Sequence, residues 1–348
     1  MSSLTAAQIE AMEANPGATR APGIIACASI TMAASAAGVI LRVIARSITA
    51  MRLGLDDYFI IVGLFFNVAF NVSIYITIHF GMGKHIVYVT DAKGLTLSIT
   101  IAECFYCLAI CFTKLSILTF YGRIFPQRWF RLMTWFMTFV VVAYNFCSVL
   151  ATWLQCVPLS HAWDPSVPAT CIDYYAVVVF SGVTNVVTDF IILSMPLSVI
   201  HQLHMSSRKK RMLASVFALG FGTCIASILR CIEAQALNSA DSSWDLQGAI
   251  DCTSVEICVA MITACMPSMR PLVSKIFKSN ATQANSKMDP TAGTYKMSTQ
   301  KGTRSRADRG WSAIDHEETQ RLPEERSADE LSLGSLKQAY RADVRQAV

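Results

Sequence analysis

Charge is what this chain lacks most. Of its 348 residues only 15% are Asp, Glu, Lys or Arg, while 53% are hydrophobic and the mean hydropathy is +0.43. Soluble domains carry about a quarter charged residues, so an ordinary water-soluble domain is excluded. Familiar catalytic signatures are missing too: there is no G-x-S-x-G elbow, no H-E-x-x-H and no phosphate loop. The doublet His201-x-x-His204 has no Cys or acidic partner at ligand spacing, which argues against a metal. Neither enzymatic activity nor a nucleic-acid partner is expected. Residues 1–22 include Glu10 and Glu13 and lack the apolar core of a cleaved signal peptide. The first span is therefore expected to direct its own insertion.

What is present is apolar and clustered. Crossing a bilayer core takes roughly 20 consecutive, mostly apolar residues in a helix. Seven windows qualify, at about 24–45, 58–80, 95–120, 130–154, 174–200, 212–236 and 247–269. A soluble helical protein would keep charge along one face of each helix, and these windows do not. The fold expected is all-α: a seven-transmembrane helix bundle embedded in a lipid bilayer. Only Arg20, Lys84 and Lys93 lie in the N-terminal segment and second loop. Arg46, Arg52, Arg123, Arg128, Arg131, the run Arg208-Lys209-Lys210-Arg211, Arg270, Lys275 and Lys278 fall on the other side. Basic residues near span ends favour the cytoplasm, which predicts the N-terminus outside and the C-terminus cytoplasmic. Three parts follow: an extracellular segment (1–22), a transmembrane domain (23–278) and a polar tail (279–348) too poor in apolar residues to fold alone. The plasma membrane is the default location, with an endomembrane as the alternative.

Most of the twelve cysteines lie inside the apolar windows. Cys107, Cys111, Cys147, Cys224, Cys258 and Cys265 read as small packing residues. Cys156 and Cys171 differ, because they flank the outer loop CVPLSHAWDPSVPATC on the oxidising side, where a staple orders a proline-rich loop. A Cys156–Cys171 disulfide is predicted, Cys104 being expected to lie below the membrane surface.

An ionisable group within a span costs several kcal/mol unless it faces protein or water. Glu103, Lys114, Asp189, Arg230 and Glu256 are such groups, with Asn67, Asn71, Asn145 and Asn185 as neutral company. Glu103 and Lys114 stand eleven apart, close to three helical turns, and so share a face with Tyr106 and Ile110. A rise of about 1.5 Å per residue puts Glu103 and Glu256 roughly 12–14 Å below the outer surface and Arg230 roughly 9 Å, with Lys114 and Asp189 nearer the cytoplasmic face. Two clusters are expected: an outer chamber of Glu103, Arg230 and Glu256, and an inner pair, Lys114 with Asp189. They read either as a ligand site above a conformational lock, or as charges that pair only to hold the bundle, with Arg230 reaching outward. Asp56 and Asp57 open the second span, where unpartnered N–H groups and the helix dipole favour an acidic cap. One is expected to cap the helix and the other to pair with Arg46 or Arg52.

Several stretches, taken in order, resemble the fungal rhodopsin-domain integral membrane proteins of the SAT4 family and the Pth11-like G-protein-coupled receptors. They run Gly54-Leu55-Asp56-Asp57-Tyr58, Gly81-x-Gly83-Lys84-His85, Glu103, Tyr106, Lys114-Leu115-Ser116-Ile117-Leu118, Tyr121 and Arg123-Ile124-Phe125. Cys156, Pro158, Trp163-Asp164-Pro165, Cys171-Ile172-Asp173, Asn185, Asp189, Pro196, Gly220, Arg230, Glu256 and Pro267-Ser268-Met269-Arg270-Pro271-Leu272 follow. The resemblance covers residues 24–278. It implies seven transmembrane helices and a fungal source. Some members look like receptors and others accompany secondary-metabolite gene clusters. Receptor-type relatives often carry a cysteine-rich CFEM domain, whereas residues 1–22 here hold no cysteine. Retinal is not expected, because a Schiff base needs a lysine in the seventh helix and Ala249 to Pro271 contains none. A receptor-like role is expected, with a small-molecule ligand and a G protein or other cytoplasmic partner. A transporter or membrane component tied to a biosynthetic gene cluster is the alternative.

Overall fold

A computed structural model describes residues 6–13, 17–48, 53–158, 167–200 and 207–286. Side chains are described within these ranges except at 6–8, 11, 199–200, 207–216 and 270–286. Arg52, Trp163-Asp164-Pro165, His201, His204, the side chains of Arg208–Arg211 and of residues 270–286, and the tail beyond Ser286 lie outside this description.

A short α1 (Ala6–Glu13) precedes α2 (Ala21–Ile48), α3 (Leu55–His79), α4 (Ala92–Ile124) and α5 (Arg128–Trp153). Strands β1 (Cys156–Val157) and β2 (Thr170–Cys171), α6 (Tyr174–Ile200), α7 (Ser207–Glu233), a one-turn α8 (Ser242–Asp245) and α9 (Gln247–Ser286) complete the order. Seven of these helices, α2 to α7 and α9, contain segments long and apolar enough to cross a membrane. α3 lies along α4 and α2 along α9, α7 also packs on α9, and α4 reaches across to α9, closing the ring. α9 runs to Ser286, past the boundary at 278 that hydropathy suggests. Residues 279–286 hold no proline or glycine to stop it.

The inner faces carry Ile60 and Phe70 of α3, Tyr106 and Ile110 of α4, and Ile257 and Met261 of α9, all buried. Outward, Phe139 and Phe180 are 71% and 74% exposed. Such aromatics suit a hydrocarbon surrounding and would be a liability in water. Cys147, expected to pack inside, is exposed and lines a groove of the α5 and α6 faces, because its position on α5 turns it away from the bundle. Cys107, Cys111, Cys224, Cys258 and Cys265 are buried.

The two ends of the bundle differ. At one end β1 pairs antiparallel with β2, placing Cys156 opposite Cys171, and a disulfide joins them. At the same end the 81–85 loop is laid over α8. Gly81 (φ +112) and Gly83 (φ +84) occupy the left-handed region that favours glycine. The turn lets Gly83 N donate to Ser243 O at 2.9 Å, and Ser243 Oγ donate to Lys84 O at 2.8 Å. His85 Nδ1 meets Asp241 Oδ2 at 2.5 Å, and its ring stacks on Trp244 with centroids 4.0 Å apart. Arg20 lies over the other side of this junction, 4.4 Å from the Trp244 ring centroid. The opposite, basic end carries Arg46, Arg123, Arg128 and Arg131.

Candidate functional site

The buried charges of α4, α6, α7 and α9 form one continuous chain rather than two separate clusters. Lys114 Nζ of α4 lies 2.9 Å from Asp189 Oδ1 of α6. It also donates toward Asn185 Oδ1 and Thr188 Oγ1, both at 2.7 Å, and toward Asn185 O at 3.1 Å. Tyr144 of α5 stands 3.3 Å from the same ammonium and donates to Asn185 Oδ1 at 3.0 Å. An ammonium has three protons, so these acceptors share it.

Asn185 and Ser227 then bridge to α9. Asn185 Nδ2 donates to Glu256 Oε1 at 2.5 Å. Ser227 Oγ lies 2.6 Å from Glu256 Oε1 and 3.0 Å from Asp189 Oδ2. A hydroxyl carries a single proton and a carboxylate only accepts. Ser227 therefore donates to one acceptor at a time, either acid or the Thr223 carbonyl oxygen 3.0 Å away in α7, and its position between the acids links the two charge pairs. Glu256 is fully buried and holds Arg230 through Oε2, 3.0 Å from Nε. Tyr106 donates to the same oxygen at 3.2 Å, and its ring lies 4.6 Å beneath the guanidinium. Ser227 and Thr223 precede Arg230 by three and seven residues, so spacing alone puts them on its face. What spacing could not show is that Ser227 stands between two carboxylates on different helices.

The chain of charges lies between two cavities. One of about 90 Å³ is lined by Glu103, Arg230, Tyr174, Met82, Leu246 and apolar side chains of α3, α4, α6 and α9. Met82 belongs to the loop clamped over α8, so that loop roofs the cavity. The other, about 50 Å³, reaches Lys114, Asp189, Thr223 and Thr263. Arg230 is buried rather than extended to the surface, and its Nη2 has no hydrogen-bond partner. Its Nε is near Glu256 but is not aimed at it. Glu103 lines the cavity without an ion pair or hydrogen bond among the described residues, although it lies within the electrostatic reach of Arg230. Asn67, Asn71 and Asn145 stand apart: Asn71 donates to Asn67 O at 2.8 Å and Asn145 to Val141 O at 2.8 Å, each within its own helix. Among the described residues no group of His, Cys, Asp and Glu is arranged to hold a metal.

A second buried group sits at the basic end, and Arg42 is its unforeseen member. Arg42 Nε donates to Asp57 Oδ1 at 2.8 Å, Nη2 to Asp56 Oδ2 at 2.7 Å and Nη1 to Ala264 O at 2.6 Å. Arg46 Nη2 meets Asp56 Oδ2 at 2.5 Å. Asp57 does cap α3, accepting from Gly54 N at 3.0 Å. The cap is only part of its role, because both aspartates are buried against both arginines. Ser116 Oγ adds a bond to Asp56 O at 2.6 Å, tying α4 to α3. Arg42 lies four residues before Arg46, one helical turn away, and that spacing was the available signal.

The fold and its polar interior define a seven-helix integral membrane protein. A family model described as the fungal rhodopsin domain matches residues 41–275, and the chain belongs to that family. It is 30% identical over 256 residues to the polyenoic acids biosynthesis gene cluster protein Ba17b of Metarhizium anisopliae, covering 68% of this chain and 70% of that protein. It is 28% identical over 196 residues to a SAT4 family membrane protein of Emericella nidulans, and 26% identical over 173 residues to satratoxin biosynthesis SC1 cluster protein 4 of Stachybotrys chartarum. These matches cover 54% and 49% of this chain, and it spans 49% and 63% of those two relatives. No solved structure matches the chain.

Proposed function

We propose that this protein is a receptor-like sensor of a small ligand, without catalytic activity. The cavity beneath the 81–85 loop takes the ligand, and the Ser227 bridge passes its arrival to Lys114 and Asp189. The observation that carries this reading is Arg230, a buried guanidinium lining the cavity with Nη2 unpartnered. Leaving a buried donor unsatisfied costs stability, and an acceptor on a ligand would satisfy it. A ligand that draws the guanidinium away from Glu256 leaves that acid to claim the Ser227 proton. Asp189 then loses the hydroxyl, and the set of acceptors around Lys114 rearranges. One proton that passes between the two acids, with the Thr223 carbonyl as a third acceptor, supplies the alternative states that a sensor needs.

On this reading the capped end faces outward and the basic end faces the cytoplasm, where a G protein or another partner responds. The plasma membrane is the proposed location. The test is thermal unfolding of the purified full chain across a panel of small carboxylates, amides and alcohols. A ligand of this site raises the wild-type Tm and loses its effect in Arg230→Lys and Glu103→Gln. A compound that shifts all three proteins equally contradicts the assignment.

The relatives' names favour a second reading. Several are called biosynthesis cluster proteins, so the same chamber could serve a membrane component or transporter of such a cluster. Accumulation of a bound compound in sealed vesicles, lost in Arg230→Lys, supports transport. Binding without accumulation supports sensing.

A further inference from the structure

A larger cavity than the one beneath the 81–85 loop lies among the described residues. It measures about 530 Å³ and lies at the basic end, between α3, α4 and α5. Its lining runs from basic to apolar. Arg123 and Arg131 stand at the end of the bundle, with Phe59, Leu115, Leu118, Trp135 and Thr138 further along the helices. From Arg131 to Thr138 the α5 wall extends roughly 10 Å, the length of the upper part of an acyl chain. Leu55 and Trp135 are exposed at its edges, so the groove opens toward the hydrocarbon side of the bundle.

The polar end carries surplus positive charge. Arg42 and Arg46 already match Asp56 and Asp57, two against two. Arg123 approaches Asp56 Oδ1 only at 3.5 Å and is 45% exposed, and Arg131 has no ion pair among the described residues. Two arginines with free donors above an apolar slot match the chemistry of an anionic head group on an acyl chain. We propose that this groove is a binding site for one anionic phospholipid, its phosphate held by Arg123 and Arg131 and its chain lying between α4 and α5. Gly122 keeps the slot open, since a Cβ there meets nothing nearer than Thr134 Cγ2 at 3.8 Å.

Native mass spectrometry of the purified full chain, with phosphatidylserine and phosphatidylcholine at equal concentration, tests the site. The wild type is expected to retain phosphatidylserine over phosphatidylcholine by about tenfold or more, with roughly fivefold lost for each arginine removed. R123Q/R131Q therefore loses the preference. R128Q, which removes an exposed arginine outside the groove, keeps it. R131Q alone leaves the Arg123–Asp56 contact in place and gives an intermediate preference if the double variant does not fold. G122L, which fills the slot without touching a charge, loses the bound lipid. The assignment is overturned by a wild type without preference, or by R128Q losing as much as R123Q/R131Q. It is overturned equally if millimolar inorganic phosphate displaces the lipid while G122L retains it, the behaviour of a free-anion site.

Discussion

The two buried charge groups of this protein look alike in composition and differ in how completely their members are satisfied. At the basic end, two aspartates face two arginines, with a helix cap, a serine and a backbone carbonyl taking up further bonds. This clamp joins α2, α3, α4 and α9. In the middle, two acids and two bases are joined through one serine hydroxyl that cannot serve both acids at once, with a cavity on either side. Burial and charge alone therefore do not mark a functional site. What sets the central group apart is the guanidinium of Arg230, which lines a cavity with Nη2 unpartnered. In the clamp Arg46 Nε, 3.4 Å from Asp57 Oδ1, lacks a hydrogen bond, but the bonds that are made hold four helices together, whereas the central network retains alternative arrangements.

Breaking the clamp should have the largest effect. Arg42→Ala leaves both aspartates without their shared guanidinium, and removing one partner of a buried pair costs about 3–5 kcal/mol. The expected outcome is little folded protein, read by yield and thermal unfolding in mild detergent. Lys114→Met should cost less, about 2–3 kcal/mol, because Asp189 borders a cavity and keeps the Ser227 hydroxyl. Adding Asp189→Leu should restore most of that stability, while Asp56→Leu added to Arg42→Ala should not, since Asp57 remains. Ser227→Ala should cost about 1 kcal/mol and still abolish any ligand-induced shift at Lys114. Smallest in stability is His85→Ala, about 1 kcal/mol or less, with faster labelling of a cysteine placed at Met82 as the loop over α8 loosens. Equal costs for Arg42→Ala and Ser227→Ala would erase the contrast between clamp and bridge.

The membrane architecture was legible in the sequence because runs of about 20 apolar residues have a single physical use. The positions of Lys114, Asp189, Arg230 and Glu256 were legible too, since charge inside a span must turn inward. Less could be read about pairing. Asp56 and Asp57 meet Arg42 across a turn of unknown geometry, and Arg42 lay hidden inside the first apolar window. His85 meets Asp241 across 156 positions, a distance no local pattern encodes. Rise per residue separated an outer and an inner cluster, but long side chains close that gap, and Asn185 and Ser227 complete it.

A double-mutant cycle between Arg230→Gln and Asp189→Asn tests the central claim most directly. The two residues are linked through Glu256 by two routes, directly by Ser227 and less directly by Asn185 and Lys114. The account predicts a coupling above about 0.5 kcal/mol in unfolding free energy that falls by at least about half in a Ser227→Ala background. Additivity within about 0.3 kcal/mol, or a coupling unchanged by Ser227→Ala, would show that the two pairs are separate.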